Sequence, residues 1–486
     1  MEAFDLDFLF HPKSIAIAGV KDANATFNTG LMFLKALTGF GYPGRLYPLN
    51  PKGGEVMGLK IYKTLKEIPG PVDYVISAVP SRNTPELVAD AAAKGVKAIH
   101  FFTSGFGEIE NIEGKKLQGE ILRIARRGGI RIIGPNCLGL YCPAGGLSFN
   151  PHASKESGPV GMISQSGGNA SHSIAEGNAR GVRFSKVISM GNGADLNESD
   201  YLEYLTHDPD TRIITAYIEG IKDGPRFLNA VKAAARIKPV IIYKVGASEA
   251  GAEAAVSHTT ALAGANEVWE GLLRQVGAIQ VHSIEEMIDM VVTFLHMAPP
   301  AGKNTVIVGI GGGASVILAD EFSQAGLSLP KFSKKSRQKL IGHFSSEAGR
   351  IFKNPVDMNN LESPEAFADT IKTIEAEDNV NLLVLHIAFD HFGLVNDEDK
   401  ELMVGVYQWL ILDLKNKTNK PMAVILHSFA SDKSKKMASA MRDSFTKEGF
   451  AVFLSIRSAA VALNKYIQYQ QWLKADARGR NHPGNK

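Results

Sequence analysis

The sequence predicts an α/β protein built from three consecutive domains, each with a mainly parallel sheet. Short apolar segments typical of buried strands alternate with helical patterns along the chain, and this alternation produces parallel sheets with right-handed crossovers. Glycine- and proline-rich stretches at residues 142–159 and 299–302 interrupt the pattern, as linkers do. We therefore expect domains at residues 1–141, 142–298 and 299–486.

The first domain contains five expected strands, and their carboxyl ends are the expected binding edge. The strands are residues 13–19, 45–49, 72–79, 98–103 and 131–134, and the helices between them are residues 30–40, 86–94 and 117–126. Ligands of such sheets bind beyond the carboxyl ends of the strands. The candidate binding residues at these ends are Gly19, Val20, Lys21, Asn50, Lys52, Val79, Pro80, Ser104, Gly105 and Asn136.

A nicotinamide dinucleotide is one ligand to consider at such an edge. Its site requires a G-x-G-x-x-G turn and an acidic residue after the second strand. The first turn has only Gly19 of that pattern, and Asn50 and Lys52 stand where the acid would be. Because a lysine there suits a phosphate group instead, the sequence disfavours a dehydrogenase.

Two turns rich in glycine join a strand to a helix, one in the second domain and one in the third. The residues concerned are Ser166, Gly167 and Gly168, before an expected helix at residues 170–178, and Gly311, Gly312 and Gly313, before one at residues 315–324. Backbone N–H groups at a helix start attract anions. Two structural alternatives stay open: an ordinary N-cap by Ser166 and a tight strand–helix turn in the third domain.

Small residues fill the segment at residues 244–264, which follows an expected buried strand and contains His258 as its only histidine. Small side chains allow the backbone to approach a ligand or another segment closely. Glu219 follows another expected strand, residues 213–218, and the next strand, residues 239–243, leads into the His258 segment, so the two side chains can meet. Spacing alone also permits a packed small-residue helix with an ordinary histidine, and a carboxylate on the solvated rim.

Composition and charge exclude several classes of protein. The 486-residue chain is 44% apolar and 21% charged, with a net charge of +3 from interspersed acids and bases. This balance argues against a nucleic-acid-binding arm or a polybasic membrane patch. The sequence lacks an apolar run of about 18 residues and the basic start of a signal peptide. We therefore expect a cytoplasmic protein with reduced cysteines, and no histidine pair has a spacing that indicates a metal site.

Several motifs resemble one family. Residues 248–264, with the sequence S-E-A-G-A-E-A-A-V-S-H-T-T-A-L-A-G, resemble the phosphohistidine loop of the NDP-forming acyl-CoA synthetases. That family includes the ADP-forming acetate–CoA ligases and is related to succinyl-CoA synthetase. Thr260 departs from it, because the family usually has glycine there. Y-I-E-G around Glu219, S-x-S-G at residues 164–167, N-P-V-D at residues 354–357 and the order of strand-end residues in the first domain are also similar.

The resemblance implies a role for each candidate. The first domain would be Rossmann-like and bind CoA through its strand-end residues, and the second and third domains would be flavodoxin-like. His258 would carry a phosphoryl group, and Glu219 would orient its ring. The two glycine turns would converge on the phosphate.

The resemblance also implies a partner. The family uses an ATP-grasp domain for the nucleotide half of its reaction, and all three units here are already assigned to strand–helix repeats. We therefore expect the α-type subunit of an acid–thiol ligase, which forms a hetero-oligomer with an ATP-grasp β subunit that binds ADP or ATP and Mg²⁺. The alternative is a non-catalytic CoA- or acyl-CoA-binding regulatory protein. Thr260 and the missing nucleotide domain motivate that alternative, whereas His258 and Glu219 argue against it.

Overall fold

The structure is a computed structural model that describes residues 5–21, 28–108, 112–246, 248, 251, 266–309, 311–358, 363–389, 397–415, 417–427 and 432–480. The chain divides into two compact units, Met1–Met287 and Ile288–Lys486. Each unit is described separately, with strands and helices numbered in chain order.

The first unit begins with a parallel sheet. Its strands and the hairpin inserted among them are β1 (Ser14–Ala18), β2 (Arg45–Leu49), β3 (Gly54–Val56), β4 (Leu59–Ile61), β5 (Tyr74–Ser77), β6 (Ala98–Phe101) and β7 (Arg131–Ile133). Its helices are α1 (Thr29–Phe40), α2 (Thr84–Lys94) and α3 (Ile112–Arg127). The strand order is β2-β1-β5-β6-β7, and β3 and β4 pair only with each other. β1, β5 and β6 are buried throughout, as expected where both faces of a sheet are covered.

A second sheet follows in the same unit. Its strands are β8 (Gly139–Tyr141), β9 (Val160–Ser164), β10 (Phe184–Ser189), β11 (Ile213–Ile218), β12 (Val240–Lys244) and β13 (Ile279–Val281). The helices are α4 (Gly167–Ala179), α5 (Glu198–His207), α6 (Gly224–Ala235) and α7 (Asn266–Val276). The order is β13-β12-β11-β9-β10-β8, and β8 alone among these runs antiparallel to its neighbour. α8 (Ile284–His296) contains the boundary between the units.

The second unit contains a third sheet of the same kind. Its strands are β14 (Thr305–Gly309), β15 (Ile351–Phe352), β16 (Val356–Asp357), β17 (Leu382–Ala388), β18 (Met422–His427) and β19 (Ala451–Phe453). The helices are α9 (Gly312–Gln324), α10 (Lys334–Gly342), α11 (Pro364–Glu375), α12 (Asp397–Lys415), α13 (Asp432–Lys447) and α14 (Ile456–Arg480). The order is β15-β16-β14-β17-β18-β19, with β15 antiparallel to β16.

The predicted α/β class with mainly parallel sheets is confirmed. The antiparallel edge strands β8 and β15 were not predicted, because segments of three and two residues carry too little pattern to identify a strand. β8 lies inside residues 1–141, yet it pairs with β10 of the second sheet. The division into three domains therefore stays a prediction.

The helices after the two glycine turns begin earlier than expected. α4 starts at Gly167 and α9 starts at Gly312, so glycines that were expected in a turn form the first helical turn. Glycine is a poor helix former, and the apolar pattern therefore places these helix starts too late. Among the described helices, none has an apolar stretch long enough to cross a membrane.

Candidate functional site

A cavity of about 1240 Å³ lies at the carboxyl edge of the first sheet. Predicted residues that line it are Gly19, Lys21, Asn50, Val79, Pro80, Ser104 and Asn136. The same cavity reaches Leu138 after β7 and Gly167 and Gly168 at the start of α4. The structure thus brings most of the first-domain candidates together with two residues of the second-sheet glycine turn.

Three predicted residues are outside the cavity lining. Val20 is fully buried. Lys52 is exposed, and its backbone N–H donates to Oδ1 of Asn50 at 3.0 Å. Gly105 has a φ of +99°, and its N–H donates to the carboxylate of Glu108. These residues shape the strand-end turns, whereas the lining residues face the cavity.

Gly30 is a residue of this edge that the sequence analysis missed. A Cβ at Gly30 would lie 2.6 Å from the carbonyl carbon and oxygen of Gly19, and one at Gly19 would lie 2.7 Å from the carbonyl oxygen of Ala78. The start of α1 therefore packs directly on the turn after β1. Asn28 caps α1 by accepting from the N–H of Leu31 at 2.9 Å, and its side-chain amide donates to the carbonyl of Lys21 at 2.9 Å.

The start of α4 combines a capping residue with two glycines of different environment. Ser166 is the N-cap, and its hydroxyl accepts from the N–H of Asn169 at 3.3 Å. A Cβ at Gly167 would lie 2.8 Å from Cγ of Leu138, whereas one at Gly168 would meet nothing nearer than the Ser166 hydroxyl at 4.0 Å. Ser166 therefore caps the helix, as the structural alternative expected, and the space beside Gly168 stays open. Anion binding there stays a prediction.

Glu219 follows β11 and is only 6% exposed, so the alternative of a carboxylate on a solvated rim is wrong. Its backbone N–H donates to Oε1 of Gln165 at 2.5 Å. Tyr217, on the same strand, hydrogen-bonds through its side chain to Asn169 and to Glu219. Burial, followed by the charge of Glu219, raises the pKa of Tyr217, so its hydroxyl stays protonated and donates to the carboxylate. Gln165, Asn169 and Tyr217 were not identified from the sequence.

Lys244 supports this turn from the neighbouring strand. It is the last residue of β12 and is buried. Its ammonium group donates to the carbonyl oxygen of Glu219 at 2.8 Å and to that of Val245. The ammonium nitrogen also lies 5.3 Å from the ring centroid of Trp269, a distance at which a cation is attracted by the ring.

The third-sheet glycine turn has a comparable construction. Gly311 is the N-cap of α9, with a φ of +106°, and its N–H donates to Oδ1 of Asp357 at 2.8 Å. Gly312 and Gly313 are exposed in the first turn of the helix. Asn354 accepts from the N–H of Ile307 at 3.1 Å. The N-P-V-D segment therefore hydrogen-bonds to β14 through Asn354 and to the glycine turn through Asp357. The sequence did not reveal this role.

His258 lies outside the described residues, as does most of the small-residue segment around it. Its approach to Glu219 stays a prediction, and so does the convergence of the two glycine turns. The assignment of the candidates to CoA, phosphate and catalysis is likewise a proposal.

Two family matches cover residues that form the cavity. Residues 13–143 match the CoA binding domain family, and residues 157–294 match the succinyl-CoA ligase like flavodoxin domain family. The first match contains the strand-end residues of the first sheet, and the second contains α4 and Glu219. The fold and these matches define an α/β protein of the CoA-ligase class.

Whole-chain comparisons give the particular family. The α subunit of ADP-forming acetate–CoA ligase II from Pyrococcus furiosus is 35% identical over 434 residues, 89% of this chain and 92% of that subunit. An ADP-forming acetate–CoA ligase from Methanocaldococcus jannaschii is 36% identical over 367 residues, 74% of this chain and 50% of that protein. A structure of acetyl-coenzyme A synthetase 1 from Ca. Korarchaeum cryptofilum with phosphate and ADP matches with a TM-score of 0.82 and 26% identity, covering 98% of this chain and 99% of that chain.

The chain therefore belongs to the NDP-forming acyl-CoA synthetase family, in the type of the ADP-forming acetate–CoA ligase α subunits. The predicted resemblance is confirmed. Family membership identifies the protein as a ligase and favours the enzyme over the regulatory alternative.

Proposed function

We propose that this chain converts acyl-CoA and phosphate into a carboxylic acid, CoA and a phosphohistidine whose phosphoryl group forms ATP from ADP. One observation carries the proposal: the cavity at the edge of the first sheet continues to Gly167 and Gly168 at the start of α4. A CoA thioester along this edge would bring its acyl carbonyl near a helix start that attracts phosphate.

The first half of the reaction joins phosphate to the acyl group. A phosphate oxygen attacks the thioester carbonyl, the C–S bond breaks, and CoA leaves as a thiol after its sulfur takes up a proton. An imidazole nitrogen of His258 then attacks phosphorus, the P–O bond to the acyl group breaks, and the carboxylate leaves. Nucleophilic catalysis of this kind divides one difficult transfer into two easier steps.

Glu219 would orient the ring of His258. A carboxylate that accepts the N–H of one ring nitrogen leaves the other nitrogen directed at phosphorus, and it stabilises the cation that forms. The Glu219 turn is fixed on several sides, by Gln165, Tyr217 and Lys244. A carboxylate on a turn held in this way stabilises the developing imidazolium charge without having to reorganise.

Phosphate would be held by the backbone at the start of α4, beside Ser166, Gly167 and Gly168. The missing side chain of Gly168 leaves the space that a phosphate oxygen needs. In the second unit, Gly312 and Gly313 would provide further N–H groups, with Gly311 held in place by its own N–H bond to Asp357. At the first-sheet edge, Lys21 and Lys63 line the cavity and would neutralise phosphates of CoA.

The nucleotide would be bound by a separate ATP-grasp β subunit with Mg²⁺, in a hetero-oligomer located in the cytoplasm. Two relatives support a second component. The first, from P. furiosus, is named as an α subunit. The second is the M. jannaschii protein, of which this chain covers only 50%. His258 would carry the phosphoryl group between the two sites, because acyl-CoA and nucleotide occupy different subunits.

The proposal is tested with the full-length chain and the β subunit that copurifies with it from the native source. Acetyl-CoA, phosphate, ADP and Mg²⁺ should yield ATP, and His258→Ala should abolish this formation while the dissociation constant for CoA stays unchanged. The matched control is His152→Ala, because His152 is exposed at a loop of the first unit and should not alter turnover. Retained ATP formation in His258→Ala would overturn the proposal. CoA binding without turnover in the wild type would favour the regulatory alternative.

A further inference from the structure

The side chain of Gln165 makes three hydrogen bonds to the main chain around Glu219. Its Oε1 accepts from the N–H of Glu219 at 2.5 Å and from that of Gly220 at 3.0 Å. Its Nε2 donates to the carbonyl oxygen of Gly220 at 2.7 Å. The amide therefore binds both the donors and the acceptor of this turn.

These bonds continue the pairing of two strands after one of them has turned away. β9 and β11 pair in register up to Ser164 opposite Tyr217, and the N–H of Gln165 then donates to the carbonyl of Tyr217 at 3.2 Å. Beyond this point the chain turns into α4, so β9 no longer offers backbone groups to Glu219 and Gly220. A glutamine side chain carries the same donor and acceptor groups as a peptide, and it takes their place.

The position of Gln165 links two parts of the proposed site. It immediately precedes Ser166, the N-cap of the helix whose first residues line the cavity. Through its amide it also fixes the turn that carries the buried carboxylate of Glu219. A shift of one part would therefore shift the other, and a displacement of about 1 Å at a reacting group costs on the order of 100-fold in rate.

We infer that Gln165 is a positioning residue for phosphoryl transfer, which holds the Glu219 carboxylate in fixed register with the start of α4. The inference depends on the proposed function, because it assigns Gln165 an effect that acts through Glu219. A purely structural role would instead stabilise the fold without a specific link to that carboxylate.

The test uses the Gln165→Met variant of the full-length chain, which keeps the size of the side chain and removes all three hydrogen bonds. The readout is incorporation of ³²P from labelled phosphate into the protein in the presence of acetyl-CoA. Gln118→Met is the matched control, because Gln118 accepts one main-chain hydrogen bond, from Gly107 at 3.2 Å, in the first-sheet region. We expect the labelling rate to fall by at least about tenfold in Gln165→Met and to change little in Gln118→Met.

A double-mutant cycle separates positioning from general stability. If Gln165 acts through Glu219, Gln165→Met will slow labelling strongly in the wild type but little in a Glu219→Gln background. The dissociation constant for CoA should remain unchanged in every variant. Equal rate losses in the two backgrounds, or wild-type labelling in Gln165→Met, would overturn the inference.

Failure of the proposed function gives a different result. In that case the wild-type chain itself would incorporate no label with acetyl-CoA and phosphate, although it bound CoA. Labelled wild type together with an unaffected Gln165→Met variant would refute only the role of Gln165.

Discussion

The ammonium nitrogen of Lys244 lies 2.8 Å from the carbonyl oxygen of Glu219 and also donates to the carbonyl of Val245. Lys244 ends β12, and the segment that contains His258 begins directly after it in the sequence. The buried ammonium group of Lys244 thus links the Glu219 turn to Val245, at the start of the segment that contains His258. Burial lowers the pKa of Lys244, and the charge of Glu219 opposes this effect.

Replacement of Lys244 by Met should reduce both stability and turnover. The carbonyls of Glu219 and Val245 lose their charged donor, which costs about 1–3 kcal/mol in the free energy of unfolding. The Glu219 turn also loses one of its supports, so the rate of ATP formation with the β subunit should fall by about tenfold or more. Urea unfolding and a coupled ATP assay measure the two effects.

Lys238→Met is the matched control for this prediction. Lys238 flanks the other end of β12 and likewise donates to two main-chain carbonyls, those of Leu205 at 2.6 Å and Asp208 at 2.7 Å. Burial lowers its pKa as well. The control should lose similar stability and keep its turnover. Equal loss of turnover in both variants would show that Lys244 acts only through stability.

Alanine substitutions at Gly167 and Gly168 should have opposite effects on stability. A Cβ at Gly167 would press on Leu138 at 2.8 Å, so Gly167→Ala should destabilise the protein. A Cβ at Gly168 would meet nothing nearer than the Ser166 hydroxyl at 4.0 Å, and alanine in place of an unstrained glycine stabilises a protein by about 0.4–1 kcal/mol. Gly168→Ala should therefore raise the melting temperature, yet it should weaken phosphate use by about tenfold or more because its methyl group occupies the proposed anion space. A variant with normal KM for phosphate would remove Gly168 from the site.

Gly30→Ala should weaken CoA binding. The added Cβ would lie 2.6 Å from the backbone of Gly19, so α1 must move away from the turn that lines the cavity. We expect the dissociation constant for CoA, measured by calorimetry, to rise by about tenfold. Gly39→Ala in the same helix is the control, because its Cβ would make only an ordinary contact with Pro151 at 3.8 Å. Unchanged CoA affinity in Gly30→Ala would contradict the placement of CoA at this edge.

His100 should make the protein less stable as the pH falls below 6.5. Nε2 of the buried ring lies 2.9 Å from the carbonyl oxygen of Cys137, and because a carbonyl only accepts, this nitrogen carries the proton of the neutral ring. Burial lowers the pKa of His100 from 6.5 to about 4. Between these two values the unfolded chain binds more protons than the folded chain, so stability falls by up to about 1.4 kcal/mol per pH unit, about 3 kcal/mol in all.

The His100→Gln variant isolates this effect from that of other acidic groups. Its amide also donates to the carbonyl of Cys137 but does not titrate. The unfolding free energy of the wild type minus that of His100→Gln should therefore fall by about 2–3 kcal/mol from pH 7.5 to pH 4.5. A constant difference across this range would show that His100 does not titrate on unfolding.

The sequence predicted the parallel sheets and the strand-end residues well, because alternating apolar segments identify β1, β5, β6 and β11 and the turns that follow them. It missed Gly30 because the steric restriction at that position comes from the backbone of Gly19, which lies in the turn after β1. It missed Gln165 for a similar reason: the side chain acts as a backbone substitute only once β9 and β11 are seen to pair.

The buried state of Glu219 was also beyond the sequence. An acid after an apolar strand is usually solvated, but Glu219 is only 6% exposed. Gln165 and Lys244 hydrogen-bond to its main chain and Tyr217 to its side chain. The motif resemblance singled out Glu219 and His258, and their roles stay predictions, whereas the positions that support Glu219 emerged only from the three-dimensional structure.

The central claim is that His258, with the help of Glu219, accepts the phosphoryl group of the acyl phosphate that forms from acyl-CoA and phosphate. The direct measurement is labelling of the full-length chain with ³²P-phosphate in the presence of acetyl-CoA, followed by digestion and mapping of the labelled peptide. We predict an acid-labile, base-stable label on the peptide that contains His258, strongly reduced in Glu219→Gln and absent in His258→Ala. Label on another residue, or equal labelling of His258→Ala, would contradict the account.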